Sequence, residues 1–428
     1  MTDSFPRRRS LTHVGGAIET AGDAADAKAL AHAMDVNPSN DVNPSNDVNP
    51  SNEGKSGSID NATRNHVHGF HTYPARMHPV TASRLVEAFC PKGGRILDPF
   101  CGSGTVLVEA LIQGRTALGV DLNPLAVLLS SCKTKNRDPE HLSEMVAEAG
   151  QCAAIADERR KARTKPSRRY PRLDAELFEP HVLMELDSLR HAIHERRKTA
   201  VGPDLALVLS SLLIKCSNRV GDTSNNTTPR KLAPGFPAKI FVQKAEEWAL
   251  RLADFASMLP GDPAPCATVL QGDATKLAML DLDPVNAIVT SPPYAATYDY
   301  FEHHDVRLRW LGMDAISFQR GELGSRTTYQ KLYPNSAKRL WSEELGQFLV
   351  SASGLLKKGG ALVMVLADSS VGNIALRADE IVAEIARDCG FLPTAKASQA
   401  RPHFHGPGQE AFFKRPRAEH AIALRKMK

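Results

Sequence analysis

The chain lacks any apolar run long enough to cross a bilayer as a helix, so no helical membrane span is expected. No apolar stretch follows the basic trio Arg7, Arg8 and Arg9, so the N-terminus does not read as a secretory signal. The seven cysteines are odd in number, scattered, and never spaced C-x-x-C. That pattern speaks against a disulfide framework and a zinc site, and predicts a reducing, cytoplasmic setting. Charge of one sign is also scarce. The balance of 53 basic and 48 acidic residues leaves +5, which permits nucleic-acid binding without requiring it. What remains is 428 residues with 42% hydrophobic content, enough for one large core with insertions or for two domains.

The first part of the chain has little to bury. Asp35 to Asn52 repeats DVNPSN three times, a polar unit with a proline in each copy that cannot offset its ordering entropy. Residues 1–62 are therefore expected to form a disordered tail, with order beginning near His66.

From there strand-like and helix-like segments alternate. Arg95 to Asp98 reads as a short buried strand and Thr105 to Gln113 as a helix stopped by Gly114. Ala117 to Asp121 reads as a second strand, and Pro124 opens the next helix. Thr268 to Gln271, Asn286 to Thr290 and Ala361 to Ala367 are further strands. A helix follows over about Leu376 to Arg387, then closing strands at Phe391 to Ala397 and Glu419 to Leu424. Such alternation predicts an α/β fold, a doubly wound, mainly parallel sheet covered on both faces. Residues 135–265 interrupt the pattern. They are too long for a loop, and Leu205 to Cys216 and Lys239 to Phe255 have helical periodicity, so a separately folding helical insertion is expected. Within it, Arg159 to Arg172 holds eight basic residues in fourteen, a candidate phosphate-contacting stretch.

Asp98-Pro-Phe-Cys-Gly-Ser-Gly-Thr105 lies between a strand and a helix. Gly102 and Gly104 permit a sharp turn and close approach of a ligand to the backbone, at a helix N-terminus with unpaired N–H groups. Asp121 ends the next strand, where a carboxylate can accept both ribose hydroxyls of an adenosine-containing cofactor. The third glycine of a dinucleotide site is missing, its place taken by Leu107, and no Walker lysine follows the turn. Both absences weigh against NAD and ATP.

The second informative stretch is Asn286-Ala-Ile-Val-Thr-Ser-Pro-Pro-Tyr294. A strand runs into Ser291, Pro292, Pro293 and Tyr294, and the two prolines force the chain out of the ladder on a fixed extended path. This arrangement suits methylation of an aromatic amino group, whose lone pair is delocalised into its ring. The Ser291 hydroxyl and the Pro292 carbonyl would accept the amino hydrogens and localise the lone pair, with Tyr294 stacked on a base swung out of its helix.

In this order the motifs resemble the amino-methylating branch of DNA methyltransferases, those acting on N4 of cytosine or N6 of adenine. His68-Gly-Phe-His-Thr-Tyr-Pro-Ala-Arg76 resembles the segment upstream of the cofactor loop. Asp98 to Thr105 resembles the glycine motif, and Gly119 to Pro124 the ribose-binding turn. Thr290 to Tyr294 resembles the catalytic tetrapeptide, continued by Tyr298-Asp-Tyr300 and Leu311-Gly312. The resemblance covers mainly residues 66–134 and 268–390. It implies a class I S-adenosylmethionine-dependent methyltransferase domain of seven strands, built from 63–134 and 266–428. It implies S-adenosyl-L-methionine held by Tyr73, Asp98, Phe100, Gly102, Gly104, Thr105, Asp121, Asn123 and Asp273, with Asp273 near the adenine amino group. It also implies DNA as partner and, in a restriction-modification pair, a cognate restriction endonuclease. A serine heading the tetrapeptide is commoner in cytosine-N4 enzymes, so N4 of cytosine is the expected target. The alternatives are adenine-N6 methylation of DNA, amino methylation of structured RNA, and a non-catalytic nucleic-acid-binding protein on the same fold. The long insertion before Gly272 departs from the compact arrangement of the family.

Other signals carry less. Pro265-Cys266 lies ahead of the third strand, the wrong place for a cytosine-C5 nucleophile. His66, His68, His71 and His78 crowd one segment without an apparent carboxylate or cysteine nearby in sequence, so no metal is expected there. Arg401 to His405 and Lys414 to Arg417 are candidate DNA-flanking segments.

Overall fold

A computed structural model describes residues 16–36, 62–221, 226–401 and 407–427. Its strands are β1 (Ile18–Gly22), β2 (Arg95–Asp98), β3 (Thr116–Asp121), β4 (Ala267–Gln271), β5 (Val285–Thr290), β6 (Leu356–Ala367), β7 (Ser369–Val371), β8 (Ile374–Leu376), β9 (Phe391–Ala400) and β10 (Ala418–Lys426). Eight of them form one sheet in the order β1-β9-β10-β6-β5-β2-β3-β4, and β7 and β8 form a small hairpin apart. β4, β3, β2, β5 and β6 run parallel. β10 inserts antiparallel between β6 and β9, and β1 adds antiparallel to β9.

The alternation of side chains across a strand sorts the core into two faces. Ile96, Ala287, Val289, Val363 and Val365 join one apolar cluster, with the helices Pro79–Phe89 and Thr105–Ile112. Leu97, Ile288, Leu362 and Met364 join the other, under the helices Pro334–Leu355 and Ala378–Ile385. Central strands buried on both faces explain the near-continuous apolar reading of β5. The chain order reverses direction between β2 and β5, the switch point where the loops after two neighbouring strands part and open a crevice.

Four expectations change. The sheet has eight strands rather than seven. The tail is not unstructured from 1 to 62, because β1 and the helix Ala24–Met34 pack on the sheet. Ala27, Leu30, Ala33 and Met34 are buried at helical spacing, and Asp23 caps the helix by accepting from the Ala25 and Asp26 N–H groups. The neighbouring repeat hid this short amphipathic element; from its third residue onward the repeat lies outside the described residues. The insertion does form helices, including Pro139–Lys161, Pro180–Glu195, Gly202–Cys216 and Phe236–Met258. It does not have a core of its own, since Leu205, Leu209 and Trp248 belong to the same apolar cluster as Ile96 and Val106. The helix expected over Leu376 to Arg387 is shortened to Ala378–Ile385 by β8. Among the described residues no helix is long and apolar enough to cross a membrane.

Leu30 is fully buried between the sheet and the helix Pro79–Phe89. Leu30→Ala is expected to cost about 2–5 kcal/mol in urea denaturation. A loss under about 0.5 kcal/mol, the usual range of a surface change, would show that the N-terminal strand and helix are not part of the fold.

Candidate active site

Two loops leave adjacent strands at the switch point. β2 and β5 pair with Ile96 opposite Ala287 and Leu97 opposite Ile288, so Asp98 and Thr290 end side by side. The Thr290 hydroxyl donates to Asp98 Oδ1 at 2.6 Å. Burial pushes the Asp98 carboxyl up to about 7, against that hydroxyl and the Phe100 N–H that favour its charge.

The glycine turn is tight for local reasons. Gly104, at φ +79°, precedes the first residue of the helix Thr105–Ile112, and a Cβ there would sit 2.9 Å from the Ser130 Cβ. Gly102, at φ +48°, faces the Tyr73 ring, which a Cβ would meet at 3.2 Å. Asp121, at the end of β3, ties the turn down. Its Oδ2 accepts from the Gly102 N–H at 2.8 Å and its Oδ1 from the Asn123 N–H at 2.9 Å. Burial raises this carboxyl to about 6, partly offset by those bonds. Asn123 in turn caps the helix Pro124–Thr134 and reaches Tyr73 Oη with its side-chain amide at 3.4 Å.

These groups line one cavity. Of the nine residues expected at the cofactor, Tyr73, Asp98, Phe100, Gly102, Thr105, Asp121, Asn123 and Asp273 face it, and Gly104 stands behind as the helix cap. Asp273 also caps its own turn, accepting from the Thr275 N–H at 2.9 Å and from Lys276 Nζ at 2.9 Å. The Ser103 and Thr105 hydroxyls are buried without a hydrogen-bond partner among the described residues, polar atoms that an adenosyl cofactor with an amino-acid tail can satisfy. The donor set, the glycine cradle and the Asp121 carboxylate thus fit S-adenosylmethionine.

A second cavity opens on the other side of Ser291. Tyr294, Tyr298, Val365, Arg401, Arg417 and Glu419 form much of its wall. Ser291 and the segment Ala75-Arg76-Met77 line both cavities. Pro293 faces the first, and Pro292 is buried between neighbours. The Ser291 hydroxyl donates to the Val365 carbonyl of β6 at 2.9 Å, so its proton is committed and its oxygen lone pairs are turned to other donors. Tyr294 is partly buried, with its hydroxyl 3.3 Å from Glu419 Oε1 and its ring on the cavity wall. Ser291, Pro293 and Tyr294 thus line one or both cavities, while Pro292 is buried and lines neither.

Several contributors were not assigned to these cavities from the sequence. Tyr300 and Glu322 close the cofactor cavity, the Glu322 carboxylate accepting from the Tyr300 N–H. Part of the wall of the second cavity comes from Arg401, just after β9, and from Arg417 and Glu419 at the start of β10. The insertion and the helix Tyr300–Leu311 brace Tyr73 and its neighbours: His71 Nε2 pairs with Ser210 Oγ of the insertion at 2.9 Å, while from the helix Arg307 reaches Thr72 Oγ1 at 3.1 Å and the buried His304 ring stacks on Tyr73 at 4.7 Å between centroids. The histidine crowd does meet a carboxylate, distant in sequence: His68 Nε2 lies 2.8 Å from Glu109, beside the buried cation Lys133. His78 caps the helix Pro79–Phe89. In the basic run, Arg159 and Arg160 approach Asp187 and Glu185, and Arg168 lies over Tyr170, so part of it is internal to the insertion.

Comparison with known proteins bears on the same region. The family model for N6/N4 DNA methylases matches residues 12–130, which ends before the tetrapeptide. A type II methyltransferase, M.MvaI of Kocuria varians, is 26% identical over 279 residues, 60% of each chain. The type II methyltransferase M.MjaII of Methanocaldococcus jannaschii is 32% identical over 81 residues, 19% of this chain and 15% of its own. A tRNA (guanine(10)-N2)-dimethyltransferase of Methanothermobacter thermautotrophicus is 42% identical over 64 residues, 15% of this chain and 19% of its own. The match thus spans 60% of the length of the first relative and under a fifth of the other two.

With the Asp121 carboxyl raised to about 6, its ionised, doubly accepting form is lost as pH falls through that value. Calorimetric titration with S-adenosylmethionine should show affinity falling between pH 8 and pH 5 with an inflection near 6. Asp121→Asn should bind more weakly and without that inflection. An unchanged pH profile in the variant would remove Asp121 from the cofactor site.

Proposed function

We propose that the chain, which is similar to DNA methylases over residues 12–130 and to type II methyltransferases, methylates N4 of cytosine at specific sites in DNA. The observation that carries this reading is that Ser291, at the head of the tetrapeptide, lines both the cofactor cavity and a second cavity walled by Tyr294.

Bound S-adenosylmethionine supplies an electrophilic methyl on a sulfonium. The chain supplies position and polarity. An extruded base fits the second cavity with a face on Tyr294 and its amino group at the Ser291–Pro292 corner. The Ser291 oxygen, its own proton held by Val365, accepts one amino hydrogen, and the Pro292 carbonyl accepts the other. Both bonds strengthen as the nitrogen becomes pyramidal, which places their benefit in the transition state. The fixed Pro-Pro path keeps the two acceptors from relaxing away. No covalent enzyme intermediate is needed; the nitrogen, positively charged once methylated, returns to neutrality by losing one proton to solvent. The serine at the head of the tetrapeptide favours cytosine over adenine as the target, and the family match favours DNA as its carrier.

Incubation with methyl-labelled cofactor and unmethylated genomic DNA, followed by nucleoside mass spectrometry, should yield N4-methylcytosine. N6-methyladenine, or label found only in RNA, would reject the reading. Ser291→Ala and Tyr294→Ala should each lower kcat by ~100- to 1,000-fold while cofactor affinity is retained; full turnover in both would reject the mechanism.

A further inference from the structure

The amino group is a small part of a base, and in the mechanism above the Ser291–Pro292 corner contacts that group alone. Tyr294 connects that corner to the far wall of the second cavity. Its backbone follows Ser291, and its hydroxyl ends 3.3 Å from Glu419 Oε1. A ring lying along Tyr294 with its amino group at the corner therefore directs its remaining polar edge towards the start of β10. There the cavity wall holds Arg401, Arg417 and Glu419.

These three are built as a unit. Arg401, only 8% exposed, grips Glu419 Oε2 with Nε at 3.1 Å and Nη2 at 2.7 Å. Glu419 is fixed in β10 opposite Ala367 of β6 and Gln399 of β9. The Arg401 N–H donates to the Arg417 carbonyl at 2.8 Å, which fixes the backbone that carries Arg417. The one side-chain hydrogen bond of Arg417 among the described residues is Nε to the Asp368 carbonyl, at 2.7 Å. That bond anchors the guanidinium by one nitrogen and leaves the two Nη groups to the cavity. Arg76, the cation on the opposite wall, is occupied differently, with Nη1 on the His68 carbonyl and Nη2 on the Thr63 carbonyl.

We propose that Arg417 is a specificity-determining residue that reads the ring edge of the extruded base, selecting a pyrimidine that carries adjacent nitrogen and carbonyl acceptors. This rests on the cytosine reading above and names the group that enforces it. Cytosine presents N3 and O2 side by side next to its amino carbon, a pair that a planar guanidinium fork can engage with two N–H donors. Adenine presents N1 flanked by a C–H, so the fork finds one acceptor and leaves its second donor unmatched. Glu419, paired with Arg401, supplies an acceptor on the same wall as Arg417.

The test begins with wild-type protein, whose methylated sequence is read from treated genomic DNA. Duplexes carrying cytosine or 3-deazacytosine at that target are then compared for wild type, Arg417→Ala and Arg417→Lys. The expected result is a ~10- to 100-fold lower kcat/KM on 3-deazacytosine for wild type, the usual worth of a two-pronged base contact. Both variants should approach the wild-type rate on 3-deazacytosine and no longer distinguish the two bases, with cofactor affinity retained. A variant that still discriminates as wild type does would overturn this proposal while leaving N4 methylation intact. N6-methyladenine from wild type would overturn both.

Discussion

The pairing of β2 with β5 is the constraint on which the site depends. These strands are separated by about 190 residues of sequence, and two residue pairs, Ile96 with Ala287 and Leu97 with Ile288, bring their ends together. The hydrogen bond from Thr290 to Asp98 then clamps the glycine turn to the Pro-Pro corner. Because both strands are parallel and buried on both faces, a slip of one residue would send core side chains to the wrong face. The register that protects the core is also the register that aligns the site. β6 extends the same logic: its Val365 carbonyl, on the neighbouring strand, takes the Ser291 proton and sets the polarity of the hydroxyl.

Electrostatics follows from this geometry. The site gathers carboxyl groups, Asp98, Asp121 and Glu322, and burial pushes all three upward, to about 7, 6 and 7. Each is steadied by backbone N–H groups or a hydroxyl rather than by a cation. That leaves the cofactor cavity with several acceptors and one arginine, Arg76, whose Nη groups are held on the His68 and Thr63 carbonyls, a setting compatible with a ligand that brings its own positive charge. The second cavity is the reverse, with arginines on its walls and one carboxylate tied to Arg401. The two cavities therefore differ in the charge they welcome although they share Ser291.

Much of this was legible in the sequence because the informative residues are local. A strand, a glycine turn, a helix and an acidic strand end occupy Arg95 to Asp121, and each step has a steric reason that a single sequence displays. The Ser-Pro-Pro-Tyr corner is legible for the same reason, since proline declares where a ladder stops. What escaped is long-range or short. The strand Ile18–Gly22 has five residues, one of them partly buried and the rest exposed, and borrows its order from β9. The second cavity is made by antiparallel insertion of β10 between β6 and β9, which no local pattern encodes. His304 and Ser210 brace Tyr73 from segments whose composition is that of ordinary helix. The insertion read correctly as helical but not as continuous with the main core, because periodicity reports a buried face and not what covers it.

The central claim is that the glycine turn and the Ser-Pro-Pro-Tyr corner serve one reaction across a shared wall. A crystal structure with S-adenosylhomocysteine tests it most directly. The account predicts ribose hydroxyls on Asp121 and a sulfur opening towards Ser291, so that a methyl on it would lie roughly 3–3.5 Å from an amine seated at the corner. A sulfur directed away from Ser291, or a cofactor lodged outside the cavity bounded by Gly102 and Asp121, would contradict it.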